Sequence, residues 1–347
     1  MKKNILVTAV GGRSVGSGIV HALTRTTEDV RNRWNVIGSD ADSFAWGLYK
    51  TPQATLLPLA SSPDYIPELK HVLDKFKIDA VIPGSEAEVS VLSRFKSDIP
   101  VPVICNSNAL MPLMMDKFKM VQKLQEFGLN YIKTYPISEW EEVIAHYPFP
   151  FIIKPTTGTG GSKGLHFVFS KAEIENILSR LNSESNYCIQ PYIGTGDDEY
   201  TVGILSDKNS NIIDSIVMRR KLIGLSLLDS KRQNGISYEV STGYSQGFFI
   251  KHKIIQEYCE NLAVRLKSVG PLNIQLRMDG EDIYVFEIHA RFSGTSTMRA
   301  DVGFNEPDIL LRNYLFDEKF GRIPYQHDVA VIRAFEHVIV PIDKMIR

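Results

Sequence analysis

The run Asn4-Ile5-Leu6-Val7-Thr8-Ala9-Val10 is apolar without alternation. A strand with one wet face alternates apolar and polar residues, so an unbroken run predicts a strand covered on both faces, as in a parallel sheet. The residues that follow keep to that plan. A glycine turn leads into Gly18 to Thr24 at helical apolar spacing, and Trp34 to Gly38 reads as a second strand ending in Ser39-Asp40. Pro67 to Phe76 reads as a helix, Asp79 to Pro83 as a third strand and Val101 to Ile104 as a fourth, its proline suggesting an edge. Strand and helix in alternation predict an α/β layer with helices on both faces of the sheet.

The pattern changes from about Asp116. Lys117 to Phe127 reads as a helix closed by Gly128. Strands are expected at Phe151 to Pro155, Gly164 to Phe169 and Tyr187 to Gln190, with a helix from Lys171 to Leu181. Antiparallel strand candidates follow at Tyr200 to Leu205, Ile212 to Met218, Leu272 to Arg277 and Ile283 to Ala290, the last two joined by a turn at Met278 to Asp282. An α/β part is thus succeeded by an α+β part. The 347 residues suit two or three domains.

Charge excludes some functions. Lys and Arg number 39 against 40 Asp and Glu, so no basic excess exists to neutralise a nucleic-acid backbone or to hold an anionic membrane. Apolar runs fall short of the ~18 residues of a membrane span, and the chain enters Ile5 too early for a secretory leader. Cys105, Cys188 and Cys259 are odd in number and widely spaced, which fits neither a disulfide framework nor a zinc knuckle. A cytoplasmic protein without nucleic-acid or membrane partners is expected.

Two motifs near the start compete for attention. Gly12-Arg13-Ser14-Val15-Gly16 matches the nucleophile elbow G-x-S-x-G, but it follows the first strand and has no assignable acid and His partners. The segment Gly11 to Gly18, with Asp40 ending the second strand, has the context of a dinucleotide-binding turn without its G-x-G-x-x-G spacing, since His21 stands at the third position. A glycine turn that lets a helix pack close to the sheet accounts for both.

Lys154-Pro155-Thr156-Thr157-Gly158-Thr159-Gly160-Gly161-Ser162-Lys163-Gly164 is the most informative stretch. Glycines and small hydroxyl residues let the backbone fold its N–H groups around phosphate oxygens, and a Lys ending the preceding strand reaches the same oxygens as a point charge. It is not a Walker A loop. Further on, strand alternation puts Glu287, His289 and Arg291 on one face and Phe286, Ile288 and Ala290 on the other. With Met278 opposite Tyr284, Gln275 falls opposite Glu287, and oxygen ligands so gathered suit a hard cation such as Mg²⁺. An exposed polar sheet face would show the same alternation.

In this order the motifs resemble the ATP-grasp superfamily, in its carbamoyl-phosphate-synthase-like and D-alanine-ligase-like branches. The resemblance covers nearly the whole chain. It implies an N-terminal Rossmann-like (pre-ATP-grasp) domain at 1–112, a small lid at 113–190 and a C-terminal antiparallel-sheet domain at 191–347, with ATP between the last two. Asp116-Lys117 looks like the entry motif, and Lys154 matches the second phosphate-binding Lys. Gly158, Gly160, Gly161 and Ser162 belong to the loop that covers the phosphates. Gln190-Pro191-Tyr192-Ile193 looks like the adenine hinge, usually begun by Glu, and Glu199 resembles the ribose-binding acid. Gln275 and Glu287 match two metal-ligand positions for Mg²⁺ or Mn²⁺, and Arg291 matches the Arg beside the reacting phosphoryl group. His289 stands where the family usually has Asn, as a third metal ligand or, in the favoured assignment, a contact to phosphate or substrate.

The resemblance implies phosphoryl transfer from ATP to a carboxylate, giving an acyl phosphate that an amine attacks. Ser293, Gly294, Arg219, Arg220 and Arg291 would face the substrate. The partners implied are a small carboxylate and an amine, with a homodimer as the oligomer to test. Two other readings are phosphorylation of bicarbonate or carbamate, as by one half of carbamoyl-phosphate synthase, and a non-catalytic nucleotide-binding protein.

Overall fold

The computed structural model describes residues 2–12, 15–157, 164–181 and 186–346. The first sheet consists of β1 (Lys3–Val7), β2 (Trp34–Asp40), β3 (Gln53–Leu56) and β4 (Ala80–Ile82) in the order β3-β2-β1-β4, all parallel. Its strands are covered on both sides, as their unbroken apolar runs require. Leu6, Ile37 and Val81 face one core with the helices Tyr65–Lys75 and Glu86–Arg94, while Ile5, Val7, Val36 and Ile82 face another with the helix Val15–Thr24. The expected strand at Val101 to Ile104 is reduced to one parallel bridge between Val81 and Val103. Pro100 and Pro102 lack the N–H donors that a longer ladder would use. Conversely, β3 was not expected.

The glycine turn does what packing demands. Gly16 N–H donates to the Gly84 carbonyl at 3.2 Å, and a Cβ on Gly16 would lie 2.3 Å from the Ala9 oxygen. A Cβ on Gly84 would lie 2.1 Å from the Thr8 oxygen. Asp40 is occupied within the same turn, accepting from Gly11 N–H at 2.9 Å and Asp42 N–H at 3.1 Å. Arg13 and Ser14 of the elbow-like motif lie outside the described residues.

A second, antiparallel sheet contains β5 (Tyr135–Pro136), β6 (Phe151–Pro155), β7 (His166–Val168) and β8 (Tyr187–Pro191) in the order β5-β8-β6-β7. It has its own small core of Ile137, Val143, Phe151, Ile153, Val168, Ile174 and Ile189. The helix Lys117–Glu126 lies in the sequence range assigned to the lid, yet it buries Met120, Val121 and Leu124 in the core of the main body.

The third sheet is the largest. It comprises β9 (Glu199–Ser206), β10 (Ile212–Arg220), β13 (Gly247–Ile250), β14 (Gly270–Asp279), β15 (Asp282–His289) and β16 (Val329–Val331), ordered β15-β14-β9-β10-β13-β16. A separate hairpin, β11 (Leu227–Gln233) with β12 (Ile236–Ser241), extends between β10 and β13. It was not expected, although Asn234-Gly235 is a hairpin turn signal and Ile236, Tyr238 and Val240 alternate with polar residues in β12. Val202, Ile204, Ile274 and Val285 share a core with the first sheet, which joins these two parts into one body.

Register in β14–β15 departs from the expectation in one respect. Met278 pairs with Ile283 and Arg277 with Tyr284, one step from the expected pairing of Met278 with Tyr284. A β-bulge between Gln275 and Leu276 makes up the step, so Gln275 still lies opposite Glu287. The extra residue re-aims side chains at the bulge. Phe286, expected to face away from Glu287, therefore lines the same cleft.

A buried acid in the first domain gives a pH test of stability. Glu88 accepts hydroxyl bonds from Thr8 at 2.7 Å, Tyr65 at 3.1 Å and Ser85 at 3.2 Å. Burial raises its pKa, against the lowering effect of these hydroxyls. A raised folded-state pKa contributes stability that is complete below the unfolded value, ~4.3, and lost as pH rises through the folded one. Glu88→Gln should therefore melt above wild type at pH 8 and lose that advantage by pH 4. Thermal melts with a pH-independent difference would refute this assignment.

Candidate active site

A cleft of about 990 Å³ lies where the three sheets meet, lined among others by Lys117, Lys154, Gln190, Glu199, Gln275, Glu287, His289 and Arg291. The residues after the C-terminal ends of β1 and β4 also reach it, through Gly12 and Gly84-Ser85-Glu86. Ligands bind at that end of parallel sheets.

Asp116 caps the helix that begins at Lys117, accepting from Phe118 N–H at 2.9 Å and Lys119 N–H at 3.2 Å. Lys117 N–H donates to Thr156 O at 3.1 Å, tying this helix start to the end of β6. Lys154 projects from β6 with its Nζ 5.9 Å from the Phe286 ring centre. Burial lowers its pKa; the charge of Lys117 acts in the same sense, and Cys188, Glu287 and Glu199 oppose it. Among the described residues, neither lysine has a carboxylate within 4.0 Å. Gly158, Gly160, Gly161 and Ser162 lie outside the described residues.

Where β8 ends, Gln190 donates to the Thr134 hydroxyl at 2.6 Å, Tyr192 donates to Glu239 O at 2.6 Å, and Ile193 O accepts from Arg277 at 3.1 Å. Pro191 and Ile193 line the cleft with them. Glu199 is buried between two guanidinium groups, Arg220 at 2.6 Å and Arg277 at 2.8 Å. Burial would raise its pKa, but the charges of Arg220 and Arg277 prevail and hold it low.

Gln275 Nε2 donates to Glu287 Oε2 at 2.9 Å. His289 bridges two acids, with Nε2 3.2 Å from Glu287 and Nδ1 2.8 Å from Glu86. Burial pushes its imidazole pKa down; the Glu287 charge and hydrogen bonds to both carboxylates outweigh this and raise it. Burial would raise the Glu287 pKa, but His289 and the two lysines hold it down to about 2. Glu86 also holds Arg291, at 2.6 Å from Nη2 and 3.1 Å from Nε. Ser293 accepts from Thr295 N–H at 3.2 Å, and Gly294 O accepts from Arg333.

One expected substrate residue needs correction. Arg219 does not line the cleft: adjacent strand residues face opposite ways, and its guanidinium lies exposed over Phe248 at 5.3 Å. Arg220 lines the cleft but is committed to Glu199 and to the carbonyls of Thr242 and Tyr244 at 3.1 and 2.8 Å. Sequence reasoning missed Glu86, Arg277, Phe286 and Arg333. Glu86 had one signal, its place just beyond the end of the third predicted strand; Arg333 had none.

The chain has counterparts among known proteins. A family model described as "ATP-grasp in the biosynthetic pathway with Ter operon" matches residues 185–338, and one described as "PylC-like, N-terminal domain" matches residues 5–104. The carbamoyl phosphate synthase large chain of Clostridium acetobutylicum is 24% identical over 240 residues, which are 67% of this chain and 21% of that protein. The chain therefore spans about a fifth of that relative's length. N5-carboxyaminoimidazole synthetase from Staphylococcus aureus has the same fold, with a TM-score of 0.65 at 12% identity over 94% of this chain and 81% of that one. The biotin carboxylase domain of the Hydrogenobacter thermophilus 2-oxoglutarate carboxylase, solved with MgADP and bicarbonate, gives 0.64 at 15% identity over 94% and 73%. The class these matches define is that of the ATP-grasp model over residues 185–338, preceded by a match to the PylC-like N-terminal domain over residues 5–104.

Proposed function

We propose that the protein is an ATP-dependent ligase that phosphorylates a substrate carboxylate to an acyl phosphate for attack by an amine. One observation carries the reading: two lysines without acid partners among the described residues, Lys117 and Lys154, share a cleft with Gln275 and Glu287, which lie opposite one another.

The donor set suits Mg²⁺. Gln275 and Glu287 offer oxygen, and among the described residues no group of three or more His, Cys, Asp or Glu forms a closed cage. Mg²⁺ usually keeps water and phosphate among its ligands, so two protein donors suffice. His289 is a poor third ligand because both ring nitrogens face carboxylates and must donate to them. When bound, the metal would neutralise phosphate charge.

The chain's own groups do the rest. Lys117 and Lys154 hold phosphate oxygens, Gln190 to Ile193 seat the base, and Glu199, fixed by its arginines and Ser241, keeps one acceptor site for a ribose hydroxyl. Arg291, steadied by Glu86, stabilises charge on the transferring group. Ser293 and Gly294 border the acceptor.

The test is ADP release on adding candidate acids, bicarbonate included, with and without an amine. Release that needs a carboxylate and forms an amide supports the proposal; release with bicarbonate alone would replace it, and nucleotide binding without any release would leave a binding protein. His289→Asn should retain Mg²⁺ dependence while weakening substrate binding, not through a direct contact but because Glu86, which also holds Arg291, loses its His289 partner. Loss of Mg²⁺ dependence with substrate affinity intact would assign the side chain to the metal instead.

A further inference from the structure

The cleft's cations divide sharply by partner. Arg220 and Arg277 meet Glu199, and Arg291 meets Glu86. Arg333 also lines the cleft, but no carboxylate among the described residues lies within 4.0 Å of it. Its guanidinium donates to Gly294 O and lies 5.8 Å from the Tyr244 ring centre. The nearby acid on its own segment, Glu336, is taken by Arg25 at 2.9 Å and Lys50 at 3.2 Å. Burial and the charge of Arg220 both oppose ionisation of Arg333, Tyr244 alone favouring it. A half-buried guanidinium without a counter-ion is costly to keep unless a ligand supplies the charge.

Arg333 is also held in place. It follows β16, its backbone N–H donates to Gln246 at 3.2 Å, and the Phe335 ring meets Tyr244 edge-on at 5.8 Å. Glu336 and Ile346, whose N–H donates to Tyr49 at 3.3 Å, then tie the segment to the N-terminal domain. The guanidinium is thereby fixed beside Gly294, three residues beyond Arg291, before any ligand arrives. Its neighbours, Gly294 and Tyr244, differ from that of Lys154, whose Nζ lies 5.9 Å from the Phe286 ring centre.

From this arrangement we infer that Arg333 binds a second anionic group of the substrate, so that the acid activated here carries a carboxylate or phosphate besides the reacting carboxylate. The inference rests on the ligase reading and names the substrate class for that site. A guanidinium fork matches either anion with two parallel hydrogen bonds, and a charge-assisted contact of this kind is worth roughly 10- to 100-fold in affinity.

Calorimetric titration of the full chain, with and without MgADP, tests it. The probes are succinate, glutarate and phosphoglycolate against acetate, butyrate and glycolate, on wild type, Arg333→Gln and Arg333→Lys. A dianionic probe should bind wild type at least ~10-fold more tightly than its monoanionic counterpart. Arg333→Gln should abolish that preference, Arg333→Lys should restore part of it, and MgADP affinity should persist. Preference for the dicarboxylates or for phosphoglycolate identifies the anion. Equal affinity for mono- and dianions, an unchanged preference in Arg333→Gln, or no binding by any probe overturns the inference. The ligase reading is judged separately: Arg333-dependent dianion binding without ADP release from any acid sinks that reading and leaves the anion site standing.

Discussion

Lys154→Ala should lose ATP-dependent turnover by roughly 10²- to 10³-fold, the usual loss when one charged donor to a reacting group is removed from a water-poor site. Its melting temperature should stay within a few degrees of wild type. The physical reason is the same for both halves of the result. Lys154 stands at the end of β6 with burial lowering its pKa and with no carboxylate within 4.0 Å among the described residues, so the fold gains little from its charge. Its stem does pack near Phe286, and Lys154→Met keeps that packing while removing the charge. Steady-state ADP release and thermal melts on both variants decide the matter. Wild-type-like turnover in Lys154→Met would remove the lysine from the phosphate site.

Glu199→Gln is expected to act mainly on stability. Glu199, Arg220 and Arg277 are buried together, with one carboxylate balancing two guanidinium groups. Removing one partner of a buried ion pair leaves uncompensated charge, which typically costs about 3–5 kcal/mol. Arg220 would retain its carbonyl contacts at Thr242 and Tyr244, and Arg277 those at Ile193, Thr195 and Glu239, but each would lack its counter-ion. At ~2–4 °C per kcal/mol for parts of this size, the melting point should fall by roughly 6–20 °C. A fall of less than ~2 °C would show that solvent reaches the cluster and that the pair is not truly desolvated. A mutant that melts normally yet loses nucleotide affinity would point to a purely ligand-directed acid.

Much of the fold was legible because its signals are local. The unbroken apolar run of β1 predicted two covered faces, and Leu6 and Ile5 do face different cores. The switch at Asp116 to another pattern anticipated a second and third sheet, and the strands of β9, β10, β14 and β15 appear close to where alternation placed them. The pairing of Gln275 with Glu287 was reached through a register one step off, rescued by a bulge that residue alternation cannot reveal. The hairpin β11–β12 was missed although Asn234-Gly235 and the alternation of Ile236, Tyr238 and Val240 signal it, because β11 is polar and exposed throughout most of its length.

Sequence alone determined the period of most elements, the order of the candidate lysines and acids, and hence the resemblance to the ATP-grasp superfamily. These depend on neighbours within a few residues, where backbone geometry dictates which side chains share a face. Only the tertiary structure decided which charges are spent on one another. Arg220 and Arg219 are adjacent and alike in sequence, yet one is locked on Glu199 and the other exposed outside the cleft. Glu86 reaches Arg291 across 205 positions of chain, while Arg333 finds no acid at all among the described residues. Ion pairing is set by distance through space and by desolvation, and neither is encoded at fixed spacing along the chain.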